Sequence, residues 1–411
     1  MRFLILTQYF PPEVGAPQVR LSAFARELKR SGHEVEVVTG LPNHPTGRIF
    51  PEYRGRFYVR EEWEGIPVHR VWLYPSIGAG LKRMLNYLSF MLTSLWGLFK
   101  AQRPDLLFVE SPPLFLSLPA WLASRIWRIP WIFNVADLWP DSVRDLGLIT
   151  EGILLRLAYW LEAWSYRKAS FVNAVTEGIQ TTLLDDKRLA NNKVLFLPNG
   201  VDTELFKPRK PDLELQKSLG LFNKKVVLYA GTHGFAHGLE VVIRAAKILE
   251  NNDSNVYFVF IGDGSEKVRI IDMAKTMSCR NVLFLDPAPP DYIARLYSFS
   301  IAGLSTLRNN SLFESTRPAK IFAAMASGKP VIYSGAGEGA RLVESAKAGL
   351  VVPPEDPEAL AEAVRILASN PALAEELGSN GRRYVEEHLS WSVLVSDWLR
   401  QLEERMNVDV A

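Results

Sequence analysis

The first 40 residues constrain the fold of this chain more than any other stretch. An apolar run over residues 2–7 leads into a turn-rich loop, and residues 19–28 then carry apolar side chains at helical spacing. Gly32 ends that helical pattern, and residues 33–39 follow as a second apolar strand. Strand, loop, helix and strand over this length predict a βαβ unit, hence a parallel sheet that binds ligands at the carboxyl ends of its strands.

The same order of elements returns in the second half of the chain. Residues 224–231 form an apolar run, the loop THGFAHG follows, and residues 239–249 have helical spacing before another strand. The glycines of this loop allow the backbone to approach an anion closely. Since 411 residues exceed what one compact core usually holds, we expect an α/β protein of two doubly wound domains, each of about 200 residues.

Composition narrows the class of protein. Hydrophobic residues make up 48% of the chain and charged residues 22%, as in ordered globular proteins. The one cysteine, Cys279, excludes an internal disulfide and agrees with a reducing compartment. Residues 1–200 contain 23 Lys+Arg and 18 Asp+Glu, whereas residues 201–411 contain 24 and 27. This asymmetry favours an anionic partner or a membrane surface for the first half, and it is too small for a nucleic-acid-binding domain.

The stretch from Arg308 to Ile332 predicts an anion site. A polar loop leads to Pro318, which we expect to occupy the first helical position, and Gly328 ends the helix. A helix amino terminus offers free N–H groups and the positive end of a dipole, which suit a phosphate. Lys320 in the first turn opposes the dipole, so a bound anion would explain it. The alternative is a solvated surface lysine.

Two strings in the chain carry a family resemblance. PAKIFAAMASGKPVI (318–332) resembles the donor-sugar motif of retaining glycosyltransferases with the GT-B fold, glycosyltransferase family four, in the branch that makes capsule and O-antigen and includes N-acetyl-L-fucosamine transferases. VLFLPNGVDTELFKP (194–208) resembles the string with which this family passes from its first domain to its second.

The resemblance implies a domain organisation. Two Rossmann-like doubly wound domains would face a cleft, with acceptor binding in residues 1–203 and nucleotide-sugar binding in residues 204–388. The C-terminal helix, residues 389–411, would cross back to the first domain.

It also implies roles for single residues. Lys320, Asp137 and Glu314 are the catalytic candidates, although an aspartate such as Asp137 after a strand can equally be a helix cap. The expected donor-binding residues are Gly15, Ala16, Thr232, His233, Gly234, Asp286, Pro287, Arg308, Pro318, Ala319, Ile321 and Ala323. The expected acceptor-binding residues are His44, Arg48 and Arg54, for which a solvated basic loop is the alternative. We expect no cofactor and no metal, since an Asp-x-Asp motif is absent from the sequence.

The chain departs from the family pattern in its donor site. Ala323 stands where relatives place a glutamate that hydrogen-bonds the nucleotide ribose, and an alanine cannot accept that bond. Either the ribose is held by other groups, or the alanine replaces a natural glutamate. Thr232 and His237 stand where most relatives carry an arginine and a lysine, so we expect Lys320, with Arg308 and backbone amides, to meet the phosphate charge.

Residues 81–100 predict contact with a membrane surface. The uncharged segment 84–99 lies between Arg83 and Lys100, and its polar or small residues form one narrow helical stripe. Such a helix is either deeply buried or lies in a membrane interface, and the flanking cations with Tyr87 and Trp96 favour the interface.

The implied function is transfer of an N-acetylated amino sugar from UDP to a lipid-linked or glycan acceptor in bacterial envelope polysaccharide synthesis. The expected location is the cytoplasmic face of the plasma membrane. A nucleotide-sugar 2-epimerase of the same fold and a sugar-nucleotide-binding protein without catalysis are the alternatives.

Overall fold

A computed structural model describes residues 1–13, 15–78, 80–145, 152–251, 255–310, 313–314 and 316–408. The chain divides into two compact units. Unit 1 comprises Met1–Pro198 with Leu394–Ala411, and unit 2 comprises Asn199–Val393.

Unit 1 is built on a sheet of eight strands. These are β1 (Arg2–Leu6), β2 (Glu34–Gly40), β3 (Tyr58–Trp63), β4 (Ile66–Val71), β5 (Leu106–Ser111), β6 (Trp131–Val135), β7 (Phe171–Ala174) and β8 (Val194–Phe196). Their order is β3-β4-β2-β1-β5-β6-β7-β8, and every pair is parallel except the β3–β4 hairpin. The buried strands are almost wholly apolar because helices cover both faces of a parallel sheet.

The helices of unit 1 follow its strands. They are α1 (Ala16–Arg30), α2 (Leu81–Lys100), α3 (Ser117–Trp127), α4 (Asp141–Asp145), α5 (Ile153–Lys168) and α6 (Glu177–Thr181). In the part of the chain that the structure covers, no helix has the combined length and apolar character needed to cross a membrane.

Unit 2 carries a sheet of six parallel strands in the order β11-β10-β9-β12-β13-β14. The strands are β9 (Lys225–Ala230), β10 (Val256–Ile261), β11 (Val282–Leu285), β12 (Ser300–Thr306), β13 (Val331–Ser334) and β14 (Gly349–Val352). The helices are α7 (Leu213–Ser218), α8 (Glu240–Asn251), α9 (Lys267–Thr276), α10 (Pro290–Phe299), α11 (Ala319–Ala326), α12 (Glu338–Ser345), α13 (Pro357–Ser369) and α14 (Pro371–His388).

The last helix, α15 (Trp391–Val408), lies against unit 1 from Leu394 onward. Trp398 is fully buried, contacts the rings of Phe3 and Phe24, and donates its indole N–H to Asn173 Oδ1 at 3.0 Å. This buried bond satisfies the indole nitrogen while the ring packs in an apolar core.

The predicted start of α11 is off by one residue. Pro318 is the N-cap rather than the first helical residue, with extended backbone at φ −64° and ψ 122°. Lys320 is therefore the second residue of the helix. The correction leaves it in the first turn, where the free amides lie.

Candidate donor site

The strongest candidate site lies in unit 2, where the loop from β9 to α8 meets the start of α11. Strands β9 and β12 are parallel neighbours, so the segments that follow their carboxyl ends reach the same edge of the sheet. Lys320 projects from α11 toward the glycine-rich β9–α8 loop. The anion site that the sequence predicts is thus a compact group of side chains within one unit.

Lys320 contacts aromatic and imidazole groups. Its Nζ donates to the Tyr229 hydroxyl at 2.9 Å, lies 4.4 Å from the centre of that ring, and is 3.4 Å from His237 Nδ1. The Tyr229 hydroxyl in turn donates to the Thr232 carbonyl at 2.6 Å. Tyr229 thus holds both the lysine and the loop in place.

No carboxylate among the described residues pairs with Lys320. Burial of the ammonium lowers the pKa of Lys320 to about 7. A buried cation without an anionic partner is unfavourable, and an incoming anion would restore its charged form.

Two histidines on the loop add polar atoms but little charge. Burial, followed by repulsion from Lys267 and Lys320, lowers the pKa of His233 to about 4. Burial and the Lys320 charge lower the pKa of His237 to about 3. Both rings are therefore neutral at physiological pH, and each carries one N–H donor and one acceptor nitrogen.

His233 has an unusual environment. Its side chain is 1% exposed, and neither ring nitrogen has a hydrogen-bond partner within the described ranges. Its ring stacks on Tyr229 at a centroid distance of 5.6 Å. Buried polar atoms nearly always have partners, so unsatisfied nitrogens beside Lys320 favour a ligand-binding role for this corner.

Glycine is required at two points of this corner. A Cβ on Gly262, at φ +140°, would meet the carbonyl oxygen of Gly231 at 2.0 Å, which no side chain tolerates. A Cβ on Gly231, at φ +150°, would meet Lys320 Cε at 3.0 Å. The glycines therefore let the β9–α8 loop, the β10–α9 turn and the lysine stem pack closely together.

Arg308 contacts the β9–α8 loop and is already paired with carboxylates. Its guanidinium pairs with Glu240 and with Glu355, the latter at 3.1 Å, and its Nε donates to the Phe235 carbonyl at 2.7 Å. Its side chain is 18% exposed. The two carboxylates already neutralise the Arg308 charge, and its predicted contact with a donor phosphate stays a prediction.

The other predicted residues of α11 lie at different depths. Pro318 is buried and Ala319 is exposed at the start of the helix, whereas Ala323 is half-buried one turn later. Ile321 is not brought to the site, because its side chain is 1% exposed in the core and its N–H bonds to the Pro318 carbonyl.

The remaining donor candidates are exposed or form the loop itself. Thr232 is exposed, and Gly234 begins the single helical turn of residues 235–237. Asp286 and Pro287 are exposed after β11, and Asp286 accepts from Lys267 Nζ at 3.1 Å.

Glu314, a catalytic candidate, is exposed beside the start of α12. Its carbonyl oxygen accepts from the Glu338 N–H at 2.6 Å, and it lines a small pocket with Arg308 and Asn309. Its neighbours 311, 312 and 315 lie outside the described residues.

The residues predicted in unit 1 follow the carboxyl ends of its strands. Gly15 is the N-cap of α1 in extended backbone, and Ala16 begins that helix, its side chain lying outside the described set. Asp137 follows β6 and accepts from the Ser142 hydroxyl at 2.9 Å, and burial raises the pKa of its carboxyl. His44 donates its backbone N–H to Glu13 Oε1 at 2.8 Å.

The two arginines predicted to bind the acceptor line one open pocket. Arg48 and Arg54 lie on it together with Thr46 and Phe50. Both arginines are exposed, and Arg54 Nε donates to the Ile49 carbonyl at 3.2 Å. Both guanidinium groups are open to solvent, and this position agrees equally with binding of an anionic acceptor and with a solvated basic loop.

Sequence reasoning missed Tyr229 and Glu13. Tyr229 is the last large side chain of β9, and a hydroxyl at the carboxyl end of a buried strand was the available signal. Glu13 is 2% exposed in the β1–α1 loop, and burial raises its pKa to about 7. An acidic residue between a proline pair and a glycine gave no sign of burial.

Comparisons with known proteins identify the family of both halves of the chain. Residues 15–200 match the family described as a glycosyl transferase 4-like domain, and residues 212–384 match glycosyl transferases group 1. Among curated relatives, an Escherichia coli K12 protein, WcaI, named for glycosyl transfer in colanic acid biosynthesis, is 27% identical over 89% of this chain and 91% of its own.

Solved structures show the same fold. Sucrose-phosphate synthase from Thermosynechococcus elongatus is similar with a TM-score of 0.76 and 18% identity, covering 99% of both chains. Anabaena HepE in complex with UDP-glucose has a TM-score of 0.72 and 19% identity, covering 98% of this chain and 100% of its own. The two Rossmann-like units with parallel sheets have the GT-B fold that the sequence predicts.

Proposed function

Because the chain belongs to the glycosyltransferases whose two halves are the glycosyl transferase 4-like and group 1 domains, we propose that it moves a sugar from a nucleoside diphosphate to an acceptor hydroxyl. The observation that carries this proposal is Lys320, whose ammonium is buried without a carboxylate partner in the described structure, at the amino terminus of α11. A diphosphate supplies the negative charge that this corner lacks.

The difficult step is departure of the diphosphate. As the bond from the sugar to phosphate breaks, negative charge grows on the phosphate oxygens, and fixed donors already aimed at it lower the barrier. Lys320 and the first amides of α11 supply such donors. Tyr229 holds the ammonium in position, and the neutral histidines accept or donate without competing for the anion.

The finer assignments rest on resemblance and relatives. UDP as the nucleotide is supported by the similar HepE structure, whose complex holds UDP-glucose. Envelope polysaccharide synthesis is supported by the relative named for colanic acid biosynthesis. Retention of the anomeric configuration, an N-acetylated amino sugar and a lipid-linked acceptor follow from the branch that the 318–332 string resembles. A cytoplasmic location at the plasma membrane would give the enzyme access to that acceptor.

In this proposal the unit 1 residues serve the acceptor and the sugar. Arg48 and Arg54 would meet acceptor phosphate, Gly15 would lie near the donor, and Asp137 would contact the sugar. Glu314 and the exposed Asp286–Pro287 segment would complete the nucleotide side in unit 2. No metal or cofactor takes part in the scheme.

One observation favours a second candidate function. Ala323 lies one turn beyond the amino terminus of α11 and has no polar side-chain atom, so it cannot anchor a ribose. A chain that binds sugar nucleotides without catalysis would tolerate this replacement.

Calorimetric titration with UDP-, GDP- and dTDP-sugars, followed by a donor-hydrolysis assay, tests the proposal. We expect one nucleotide class to bind and its sugar bond to be cleaved slowly in water. Binding without cleavage or transfer favours the binding protein, and release of a 2-epimerised sugar favours the epimerase. Failure of all three donors to bind would overturn the proposed function.

A further inference from the structure

Helix α2 is inverted relative to an ordinary surface helix. Its polar and small residues face the interior together with Phe90 and Leu98, while most of its other large apolar side chains are exposed. Asn86 is fully buried, and its Nδ2 donates to the Tyr74 carbonyl at 2.7 Å. Thr93 Oγ1 donates to the Trp72 carbonyl at 2.6 Å. The narrow polar stripe thus satisfies the backbone of the segment between β4 and α2.

Gly97 continues this inward stripe. A Cβ at that position would meet Val38 Cγ1 on β2 at 2.6 Å, so the helix packs against the sheet through its smallest residue. The outward face consequently carries Leu85, Leu92 and Trp96, each at least half exposed. An ordinary amphipathic helix has the opposite arrangement.

Helices α3 and α5 extend this apolar face. Phe99 on α2 contacts Trp127 on α3 at a ring-centroid distance of 5.6 Å. Trp121 on α3 contacts Trp164 on α5 at 5.5 Å. The three helices therefore form one continuous surface, which we call the three-helix face: residues 81–100, 117–127 and 153–168.

The three-helix face concentrates exposed apolar side chains. Of the 22 large hydrophobic residues exposed in the described structure, 12 lie on these three helices. They are Leu81, Met84, Leu85, Leu92, Trp96, Phe99, Leu122, Ile126, Ile153, Leu154, Leu157 and Trp160. Contiguous apolar surface of this kind marks an interaction site.

Its charges have one sign. The only acidic residue in the three helices is Glu162, which is 2% exposed and paired with Lys187 at 2.9 Å. The exposed ionisable side chains of the face are six cations: Lys82, Lys100, Arg125, Arg156, Arg167 and Lys168. A second copy of the chain would bring these cations against one another, whereas an anionic lipid surface complements them.

The three-helix face contains an apolar groove. It lies between α2 and α3, has a volume of about 180 Å³ and is lined by Met91, Leu92, Leu95, Leu118, Pro119, Trp121 and Leu122. All its lining residues are apolar. Beside it, Lys100 Nζ lies 4.9 Å from the Trp96 ring, as is common for side chains at a bilayer interface.

From this arrangement we infer that the three-helix face lies in the headgroup region of an anionic bilayer, with a lipid acyl chain in the groove between α2 and α3. The contact extends beyond the single helix that the sequence indicates. It is confined to unit 1 and does not depend on the donor site. This contact requires no membrane-spanning segment, since interfacial helices bind a bilayer through buried apolar area and charge.

Vesicle flotation of the full chain tests the inference with two variants. The apolar variant is Leu92→Ser, Trp96→Ser and Trp160→Ser, and its matched control changes three exposed residues of unit 2, Leu213→Ser, Phe222→Ser and Val268→Ser. We expect wild type and control to float with vesicles containing phosphatidylglycerol, and the apolar variant to bind them at least tenfold more weakly.

A charge variant separates electrostatic attraction to anionic lipid from the burial of apolar side chains. Lys100→Gln, Arg125→Gln and Arg156→Gln should reduce binding to phosphatidylglycerol vesicles by about fivefold per cation and leave the weak binding to pure phosphatidylcholine unchanged. Nucleotide-sugar affinity, measured on the same samples, should be equal in all variants. A failure of the donor site is thereby distinguished from a failure of the membrane contact.

The groove has its own test. A polarity-sensitive fluorophore attached at Leu122→Cys, in a Cys279→Ser background, should shift to the blue on anionic vesicles, and the same fluorophore at Phe222→Cys should not. Absence of vesicle binding by the wild type would overturn the inference. So would a wild-type dimer that the apolar variant converts to monomer without any vesicle binding.

Discussion

The loop after β1 in unit 1 and the loop after β9 in unit 2 hold equivalent positions in two Rossmann-like sheets. A buried acidic side chain lies at the first loop, and a buried basic side chain lies at the second. In unit 1, Glu13 Oε1 accepts the N–H groups of Asn43 and His44, both at 2.8 Å. In unit 2, Lys320 reaches the loop from α11 and contacts Tyr229 and His237. Burial moves both pKa values to about 7, raising one and lowering the other.

The two buried groups differ in where their binding partners come from. Two backbone amides already donate to Glu13 Oε1, so this side chain ties together two loops of its own unit. Lys320 has only neutral groups around it in the described structure, so its charge is left for an anion from outside. The same architecture therefore yields a structural link in one unit and a ligand site in the other, and the following experiments test that contrast.

The largest effect should come from Lys320→Met. Loss of one preorganised donor to a developing oxyanion reduces catalysis by about 100-fold to 1,000-fold. The matched control is Lys329→Met, another half-buried lysine of unit 2 whose pKa burial also lowers. Steady-state kinetics with saturating acceptor measures both. Equal losses for the two variants would remove the special role of Lys320.

The pH dependence of donor affinity should be the next largest effect. The charged form of Lys320 binds the diphosphate. Below pH 7 most of the free protein already carries this charge, whereas above pH 7 Lys320 must take up a proton when the donor binds. Affinity for a nucleotide sugar should therefore fall by about tenfold between pH 6 and pH 8. Lys320→Arg stays charged, and calorimetry should give it a flat profile. A flat profile for wild type would contradict the assignment.

Ala323→Glu tests whether α11 can hold a ribose. If the position faces the nucleotide, a carboxylate there should raise donor affinity or transfer rate by about fivefold to tenfold, the worth of one charge-assisted hydrogen bond. Ala323→Gln, with a weaker acceptor, should give a smaller gain. Unchanged affinity and rate for both would show that the ribose lies elsewhere.

The last prediction concerns Glu13 and the stability of unit 1, with no expected effect on donor binding. Its folded pKa lies above the ordinary value of 4.5, so its contribution to stability is present at low pH and is lost as pH rises through about 7. The free energy of unfolding of unit 1 should fall by up to about 3 kcal/mol from this group between pH 4.5 and pH 7. Glu13→Gln should remove that loss, and the exposed Glu52→Gln should not.

Tryptophan fluorescence during urea unfolding is the suitable probe for this measurement. Ten of the 11 tryptophans lie in unit 1, so the signal reports on that unit. A wild-type profile parallel to that of Glu13→Gln would mean that Glu13 titrates as an ordinary surface carboxylate.

The sequence predicted the elements well where local chemistry decides them. The βαβ order, the β9–α8 loop and the stop at Gly328 follow from apolar periodicity and glycine placement. The position of Lys320 in the first turn of α11 was also predictable, whereas its role as an anion ligand stays a prediction. The start at Pro318 was wrong by one residue, since proline suits the N-cap as readily as the next position.

The rest depended on contacts between distant residues. Periodicity located the polar stripe of α2 but could not tell that it faces inward, because this depends on carbonyls of Trp72 and Tyr74 that need partners. The pairing of Arg308 with Glu240 joins residues 68 apart in sequence. The contact of Lys320 with Tyr229 spans 91 residues. Such pairings decide whether a cation is available to a ligand.

A structure of the chain with a bound nucleotide sugar tests the central claim most directly. We predict a phosphate oxygen within about 3 Å of Lys320 Nζ and hydrogen-bonded to the first amides of α11. A nucleotide bound elsewhere, with Lys320 still held only by Tyr229 and His237, would contradict it.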